Sequence, residues 1–296
     1  MNKIVSFVIP TFNRNDLLET LLEQIRKQFV EPGISIQTIV IDDGSKDGTR
    51  ELINSRLSDI KLINGDGNWW FTKCLNEGGA LALENGADYI ITMNDDTEIQ
   101  SDFVHSFLQH LGKMEGPALM GAVSFSLTPP QKITFSGVKK LIRWRLKQIP
   151  YYSRFDPVNP SDLSGIQPTF SLMTRGMFIP RKIAMDLNLF DPEFPQYGSD
   201  EDFCYRAIKK GYPAYVCWDA KVFVHDELTS KGSAFLQQKP SIFFGSFFNP
   251  YSINSISKTL RFYWRHGIKI LTPVYFPIFI IGTFRAYLWK YRKLKT

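Results

Sequence analysis

No aspartate or glutamate follows Glu227 in this chain of 296 residues, although eleven lysines and arginines do. The overall charge of +6 is therefore uneven. Residues 1–227 carry 24 basic against 29 acidic groups, a balance of −5, so the positive excess belongs to the last part of the chain. Cysteine is scarce. Cys74, Cys204 and Cys217 are an odd set without metal-type spacing, which argues against a disulfide framework and reads as packed, reduced thiols of a cytosolic protein. There is no Walker-type lysine loop and no GxGxxG run, so kinase and dehydrogenase readings lose support. Internal repeats are absent. Met1–Pro10 has a short apolar run but no small-residue cleavage site, and is expected to be a first strand rather than a secretory signal. The uncharged run from Ile270 to Phe284 has 15 residues and contains Pro273 and Pro277. A membrane-spanning helix needs about 20 apolar residues. A processive synthase with its own export channel, which needs several such spans, is not expected on the same ground.

Hydrophobic content of 44% and charged content of 22% suit a folded chain long enough for one large domain or two. Strand-type runs at Ile4–Ile9, Ile34–Ile41, 60–63 and Tyr89–Met93 alternate with helical stretches, among them Leu17, Leu18, Leu21, Leu22 and Ile25 on one stripe and a Gly- and Ala-rich segment over Thr72–Glu84. Asn13 or Asn15 is expected to cap the first helix. Such alternation predicts an α/β fold, a mostly parallel sheet with helices on both faces. Ala118–Leu127 is a further candidate strand.

Polar chemistry collects where the apolar runs stop. Tyr89–Met93 ends in Asn94-Asp95-Asp96, and adjacent carboxylates at a strand end suit Mg²⁺ or Mn²⁺ carrying a substrate phosphate. A turn explains the same residues as well. Asp43, in Asp42-Asp43-Gly44-Ser45, could accept from a base or ribose, with Phe12 near enough to pack on the base; a turn and helix cap is the alternative. Trp69-Trp70 fits a platform for a sugar ring or plain core packing. Ser199-Asp200-Glu201-Asp202 reads as a helix start, where a cap and favourable dipole are expected and a carboxylate is held rigidly. His225 follows an apolar run, where a packed histidine is commoner than a ligand.

Taken in order, Val8-Ile9-Pro10-Thr11-Phe12-Asn13-Arg14, Val40-Ile41-Asp42-Asp43-Gly44-Ser45-Lys46-Asp47-Gly48-Thr49 and Asn94-Asp95-Asp96 resemble the inverting family-two glycosyltransferases of GT-A fold. The likeness continues through Gly65-Asp66-Gly67-Asn68-Trp69-Trp70 and Asn76-Glu77-Gly78 and covers residues 3 to about 226. It looks closest to the bacterial rhamnosyl- and galactofuranosyl-transferase-like branch. The resemblance implies nucleotide binding by Thr11, Phe12 and Asp43, with Asn13 and Asp95 beside them. It implies a metal, Mn²⁺ or Mg²⁺, on Asp96 and His225, and a general base at Asp200. Trp69, Trp70 and Asp202 are assigned to the sugar and acceptor. Asn94 stands where the family usually has an acid, and Ser199 likewise.

These readings give a GT-A domain over 1–227, with a nucleotide-binding half (1–98) and an acceptor half (99–227), and a helical, basic, aromatic extension over 228–296. The expected reaction is metal-dependent inverting transfer of a sugar from a dTDP- or UDP-linked donor to a glycan or lipid-linked acceptor hydroxyl, in bacterial surface polysaccharide biosynthesis. A non-catalytic sugar-nucleotide-binding subunit and a sugar-phosphate nucleotidyltransferase are the alternatives. No nucleic-acid partner is expected. Within the extension, Phe243, Phe244, Phe247, Phe248 and Tyr251 share one side of a helical pattern, and Lys290-Tyr291-Arg292-Lys293 closes a basic, aromatic segment. This pattern fits an interfacial anchor on anionic lipid, placing the protein in the cytoplasm or peripherally on the inner face of the membrane. Packing of that helix on the body is the alternative.

Overall fold

The computed structural model describes residues 2–56, 59–225 and 240–293. Strands and helices alternate as β1 (Lys3–Thr11), α1 (Asn15–Arg26), β2 (Ile34–Asp42), α2 (Thr49–Arg56), β3 (Lys61–Asn64), α3 (Trp70–Glu84) and β4 (Tyr89–Thr92). Then come β5 (Thr97–Ile99), α4 (Phe103–Leu111), β6 (Leu119–Ser126), β7 (Ile133–Phe135), β8 (Val138–Ile142), β9 (Lys147–Pro150), β10 (Ile166–Pro168) and β11 (Met177–Pro180). The chain continues through α5 (Arg181–Leu187), α6 (Ser199–Lys209), β12 (Ala214–Val224), α7 (Pro240–Ser246), α8 (Ile256–His266) and α9 (Thr272–Lys293).

The main sheet runs β3-β2-β1-β4-β11-β6-β12-β10, with β5 on β12 and β7 on β6. Strands β1 to β4 are mutually parallel, and the antiparallel β11 between β4 and β6 leaves β6 and β12 pointing the same way as β4. Most strands therefore end at one rim, which is where ligands sit in open α/β sheets. The sheet is buried on both sides, and β1 shows why it lacks polar alternation. Val5, Phe7 and Ile9 enter one core with Leu18, Leu21 and Leu22 of α1, while Val8 enters the other with Leu75 and Ala82 of α3. The small residues of α3 let it lie close to the sheet: a Cβ at Gly78 would come within 2.5 Å of the Val8 and Ile41 side chains. All three cysteines are buried and free.

Two local expectations change. Neither Asn13 nor Asn15 caps α1; the Asn15 N–H instead donates 2.9 Å to the Asp47 carboxylate, supplied by the loop after β2. Pro273 and Pro277, which on sequence would interrupt the apolar run near the C-terminus, do not break it, since α9 is continuous from Thr272 to Lys293. Pro273 lies in the first turn, where N–H groups have no intrahelical acceptor, and Pro277 forgoes only its bond to the Pro273 carbonyl. The extension has a small apolar core of its own. Phe243 and Phe247 are buried with Tyr287 of α9, and the Phe243 and Tyr287 rings stack at 3.9 Å. Phe244, at the edge of this cluster beside Phe284, and Phe248 are exposed.

Candidate active site

At the rim, the ends of β1, β2 and β4 meet. Thr11 lies beside Asp42 in register, and its Oγ donates 2.8 Å to Asp95. Arg14 Nη1 lies 2.9 Å from Asp95 and 2.7 Å from Asp96, bridging the two acids. Burial pushes the Asp95 carboxyl above its usual range, with Arg14 and Thr11 pulling against it. Phe12 is 53% exposed and lines the cleft, open to a flat partner. Asn13 does different work. In a left-handed conformation (φ 53°), it donates through its N–H to Ser45 and accepts from the Lys46 N–H, stapling the first loop to the second. It is not among the residues that line the cleft.

Asp43 is heavily engaged. Its carboxylate accepts from the backbone N–H groups of Gly67, Trp69 and Trp70 at 2.9–3.2 Å. It therefore shapes the loop that presents the tryptophans while still lining the cleft. Those tryptophans have different surroundings. Trp69 packs against the core with the Lys73 ammonium 4.3 Å from its ring centroid, whereas Trp70 lines the cleft. The Trp70 ring stacks on Tyr251 of the extension at 4.1 Å, so one of its faces is already covered.

The opposite wall is the start of α6. Gly198, at φ 88°, precedes the helix, and no side chain caps it, contrary to the cap expected from Ser199 or Asp200. Asp200 lines the cleft with one oxygen accepting from the Glu201 N–H. Desolvation holds its carboxyl above the usual range, while Arg175 and Lys258 act in the other direction. Asp202, two residues on, is turned away from the cleft and fully buried. It accepts from Arg206 Nε at 2.7 Å and Arg265 Nη1 at 3.0 Å, with His266 Nε2 2.8 Å away. A sugar- or acceptor-binding role for Asp202 is thereby corrected: its oxygens hold α8 against α6. Arg265 also pairs with Asp191 and Glu193, and Arg261 with Glu193.

Docked in this way, the extension becomes part of the cleft. Ile253, Lys258, Thr259, Phe262, Tyr263 and Phe279 line it beside the catalytic-domain residues. The Lys258 ammonium donates 2.6 Å to the Ile253 carbonyl, and burial pushes it down to about 8. The cleft has a volume of about 1090 Å³ and holds Thr11, Phe12, Asp43, Trp70, Asn94, Asp95, Asp96, Asp200 and His225 together. Sequence reasoning assigned no role in the cleft to Arg14, Arg175 or Lys258, and placed Tyr251 on the interfacial anchor instead. The signal for Arg175 was present, since it is the only charged residue between Asp162 and Arg181.

A divalent cation fits the donor set. Asp96 and His225 offer a carboxylate and an imidazole to the cleft, and the buried Asn94 Oδ1 has no hydrogen-bond partner among the described residues. His225 Nε2 also lies 4.0 Å from Glu98. Asp226 and Glu227, the last residues of the motif around His225, lie outside the described residues. A different group, His110, Cys217 and Asp219, is gathered under α4 away from this cleft, with the Cys217 thiol pushed up to about 12 by burial.

This topology and rim define a GT-A type α/β protein. A family model described as Glycosyl transferase family 2 matches residues 6–179, and the chain belongs to that family. It is 27% identical over 225 residues to the O-antigen chain rhamnosyltransferase RfbN of Salmonella typhimurium (strain LT2), an alignment covering 74% of this chain and 65% of that relative. Among solved structures, GalNAc-T7 with UDP, GalNAc and Mn²⁺ superposes with a TM-score of 0.59 at 13% identity, covering 92% of this chain and 56% of the other. S. aureus TarS 1-349 in complex with UDP gives a TM-score of 0.56 at 14% identity, covering 99% and 92%. At those identities the superpositions speak for the fold.

The Asp202 cluster makes a stability prediction. Burial alone would raise the Asp202 carboxyl, but His266, Arg206 and Arg265 outweigh it and hold the group below the usual 3.8. Its contribution is therefore present above that value and lost as pH falls below it. Asp202→Asn takes the buried partner charge from the partly exposed Arg206 and Arg265 and should cost about 3 kcal/mol in chemical denaturation. Hydrogen exchange should rise over Ile256–His266 first; unchanged protection there would show that the cluster does not hold α8.

Proposed function

We propose that this protein transfers a sugar from a nucleoside diphosphate, dTDP- or UDP-linked, to a hydroxyl of a glycan or lipid-linked acceptor, with inversion, in surface polysaccharide assembly. The observation that carries the reading is the shared cleft, in which the Asp200 carboxyl at a helix start lines the same cavity as Asn94-Asp95-Asp96 at the end of β4. Family membership and the rhamnosyltransferase relative support sugar transfer. Residues 1–98 provide the nucleotide side through Thr11, Phe12 and Asp43, residues 99–227 the acceptor side, and 228–296 an added wall.

Asp96 and His225 would hold Mn²⁺ or Mg²⁺, and the bound ion would neutralise charge developing on the departing diphosphate. The chain's own groups do the rest. Phe12 offers its exposed ring to the base. The Asp200 carboxylate takes the proton of the acceptor hydroxyl as that oxygen bonds to the anomeric carbon and the bond to the diphosphate breaks on the opposite face. Desolvation suits Asp200 to this task, because a base with a raised pKa binds the proton more strongly once ionised.

The extension supports a second element of the proposal, peripheral contact with an anionic membrane on its inner face. By length and composition, the helical stretch Lys269–Trp289 is long and apolar enough to cross a membrane, with a mean hydropathy of 1.3 and 17% of its 18-residue apolar window buried. Ile270, Val274, Ile281 and Trp289 are exposed on it, and no acid accompanies the basic groups there. Such a surface suits the interface between headgroups and acyl chains.

Each of these parts has its own test. Asp200→Asn should lower turnover by roughly 10²-fold or more while donor affinity persists. In the unaltered protein, kcat/KM should fall with decreasing pH through a pKa above the usual carboxylate range; a limb at or below 3.8 would deny Asp200 the role of base. Asp96→Ala should abolish the tightening of nucleoside-diphosphate binding by Mn²⁺ seen in calorimetry, and equal binding of the two proteins in Mn²⁺ would count against the metal site. The protein should co-sediment with anionic vesicles and less with neutral ones, and Ile270→Asp should weaken this; indifference to lipid charge and to Ile270→Asp would sink membrane contact.

A further inference from the structure

Arg175 is the unexplained charge of the cleft. Its backbone is pinned at the end of β4: Thr92 Oγ donates 2.6 Å to the Thr174 carbonyl, and the Gly176 N–H donates 2.8 Å to the Thr92 carbonyl. The Gly176 carbonyl accepts from the Ala122 N–H on the other side, at 2.9 Å. Gly176 sits at φ +84°, where a Cβ would meet Ala122 at 2.8 Å and Phe103 at 3.2 Å. The segment is thus wedged between β4 and β6, and Arg175 is carried on a rigid part of the sheet.

From that anchor its side chain lines the cleft, yet its Nε is buried without a hydrogen-bond partner among the described residues. The charged groups acting on it are Asp96 and Asp200, which favour the cation, and Arg154, which opposes it. Burial pushes the guanidinium down to about 10, so it remains a cation at neutral pH. The other cations lining the cleft are engaged: Arg14 on Asp95 and Asp96, Lys258 on the Ile253 carbonyl, and Arg154 over the Phe155 ring at 4.6 Å. A buried guanidinium nitrogen without an acceptor is costly. Such a group is retained where a ligand supplies the acceptor, and guanidinium matches phosphate oxygens in geometry and charge.

We infer that Arg175 is a cationic contact for the diphosphate of the sugar donor, set between the Asn94-Asp95-Asp96 rim and Asp200. The inference rests on the nucleotide-sugar reading and deepens it: the departing diphosphate meets a fixed protein cation in addition to any ion on Asp96. Asp96 and Asp200 both act on this guanidinium, and a cation touching the diphosphate would gain in value as the bond to the sugar lengthens and charge builds on the leaving group.

The test is calorimetric binding of UDP and dTDP, and of uridine and thymidine as phosphate-free controls, in EDTA and in Mn²⁺. Arg175→Met should weaken diphosphate binding by roughly 10- to 100-fold in both conditions, the range for a hydrogen bond to a charged group, and leave nucleoside binding unchanged. Arg175→Lys should recover part of the loss. Because Arg175→Met removes an unpartnered buried charge, its melting temperature should equal or exceed that of the unaltered protein, which separates lost binding from lost fold. Diphosphate affinity equal to that of the unaltered protein would overturn the proposal. So would a rise confined to the acceptor KM, which would give the cation to an anionic acceptor. If the unaltered protein binds neither UDP nor dTDP, it is the nucleotide-sugar reading that fails.

Discussion

Carboxylates are crowded at one end of a sheet in this protein, and each must find donors before the chain can close around it. The crowding follows from strand direction. With β1, β2, β4, β6 and β12 parallel, their carboxyl ends and the residues after them share one rim. Asp42 is answered by Arg50 and the Ser45 N–H, Asp43 by three backbone N–H groups, and Asp95 by Thr11 and Arg14. The loops after β1, β2 and β3 take their shapes from these bonds. Structure and site are therefore made by the same interactions, since Asp43 and Asp95 line the cleft together with Asp96 and Asp200.

Much of this was legible in the sequence for a simple reason. A strand covered on both faces is rich in apolar residues without strict alternation, and the ends of β1 (Phe7-Val8-Ile9), β2 (Ile39-Val40-Ile41) and β4 (Tyr89-Ile90-Ile91) stand out as such, each followed closely by its polar residues. The Asp200 and Asp202 pair was half legible. Residues two apart on a helix point to different sides, so only one could face the acceptor. What receives the other could not be read, because Arg265 and His266 lie 63 and 64 residues further along. Asn13 illustrates another limit. Its place in a ligand-binding motif is plain, whereas its use as a loop staple depends on how close the loop after β2 comes. The antiparallel β11 is only four residues long, too short for periodicity to mark.

The extension is where composition misled most. Counting charges along the chain separates it from the body, since the body is acidic and the tail basic. In space that contrast is an attraction: Arg261, Arg265 and His266 dock on Asp191, Glu193 and Asp202. A basic tail is a lipid-binding device only with the charges left after such pairing. Here α8 spends its basic groups on the body and carries Lys258, Phe262 and Tyr263 into the cleft, while the exposed apolar side chains lie mainly on α9. The two helices divide tasks that the sequence presents as one patch.

This division ties the cleft to its surroundings. Lys258 and Arg175 both act on Asp200, one from the extension and one from the sheet, so the ionisation of that carboxyl depends on whether α8 is docked. Removing α8 would take away a favourable charge and, by admitting water, also the desolvation that raises the group; the two effects oppose each other. Desolvation is the larger in the closed cleft. Undocking should therefore lower the pKa of Asp200 toward that of an ordinary carboxylate, and a better-solvated Asp200 is a weaker base for an acceptor hydroxyl. With Asp200 in its proposed role as base, the docked extension would aid the reaction by keeping water from that carboxyl, even where none of its side chains touches the sugar.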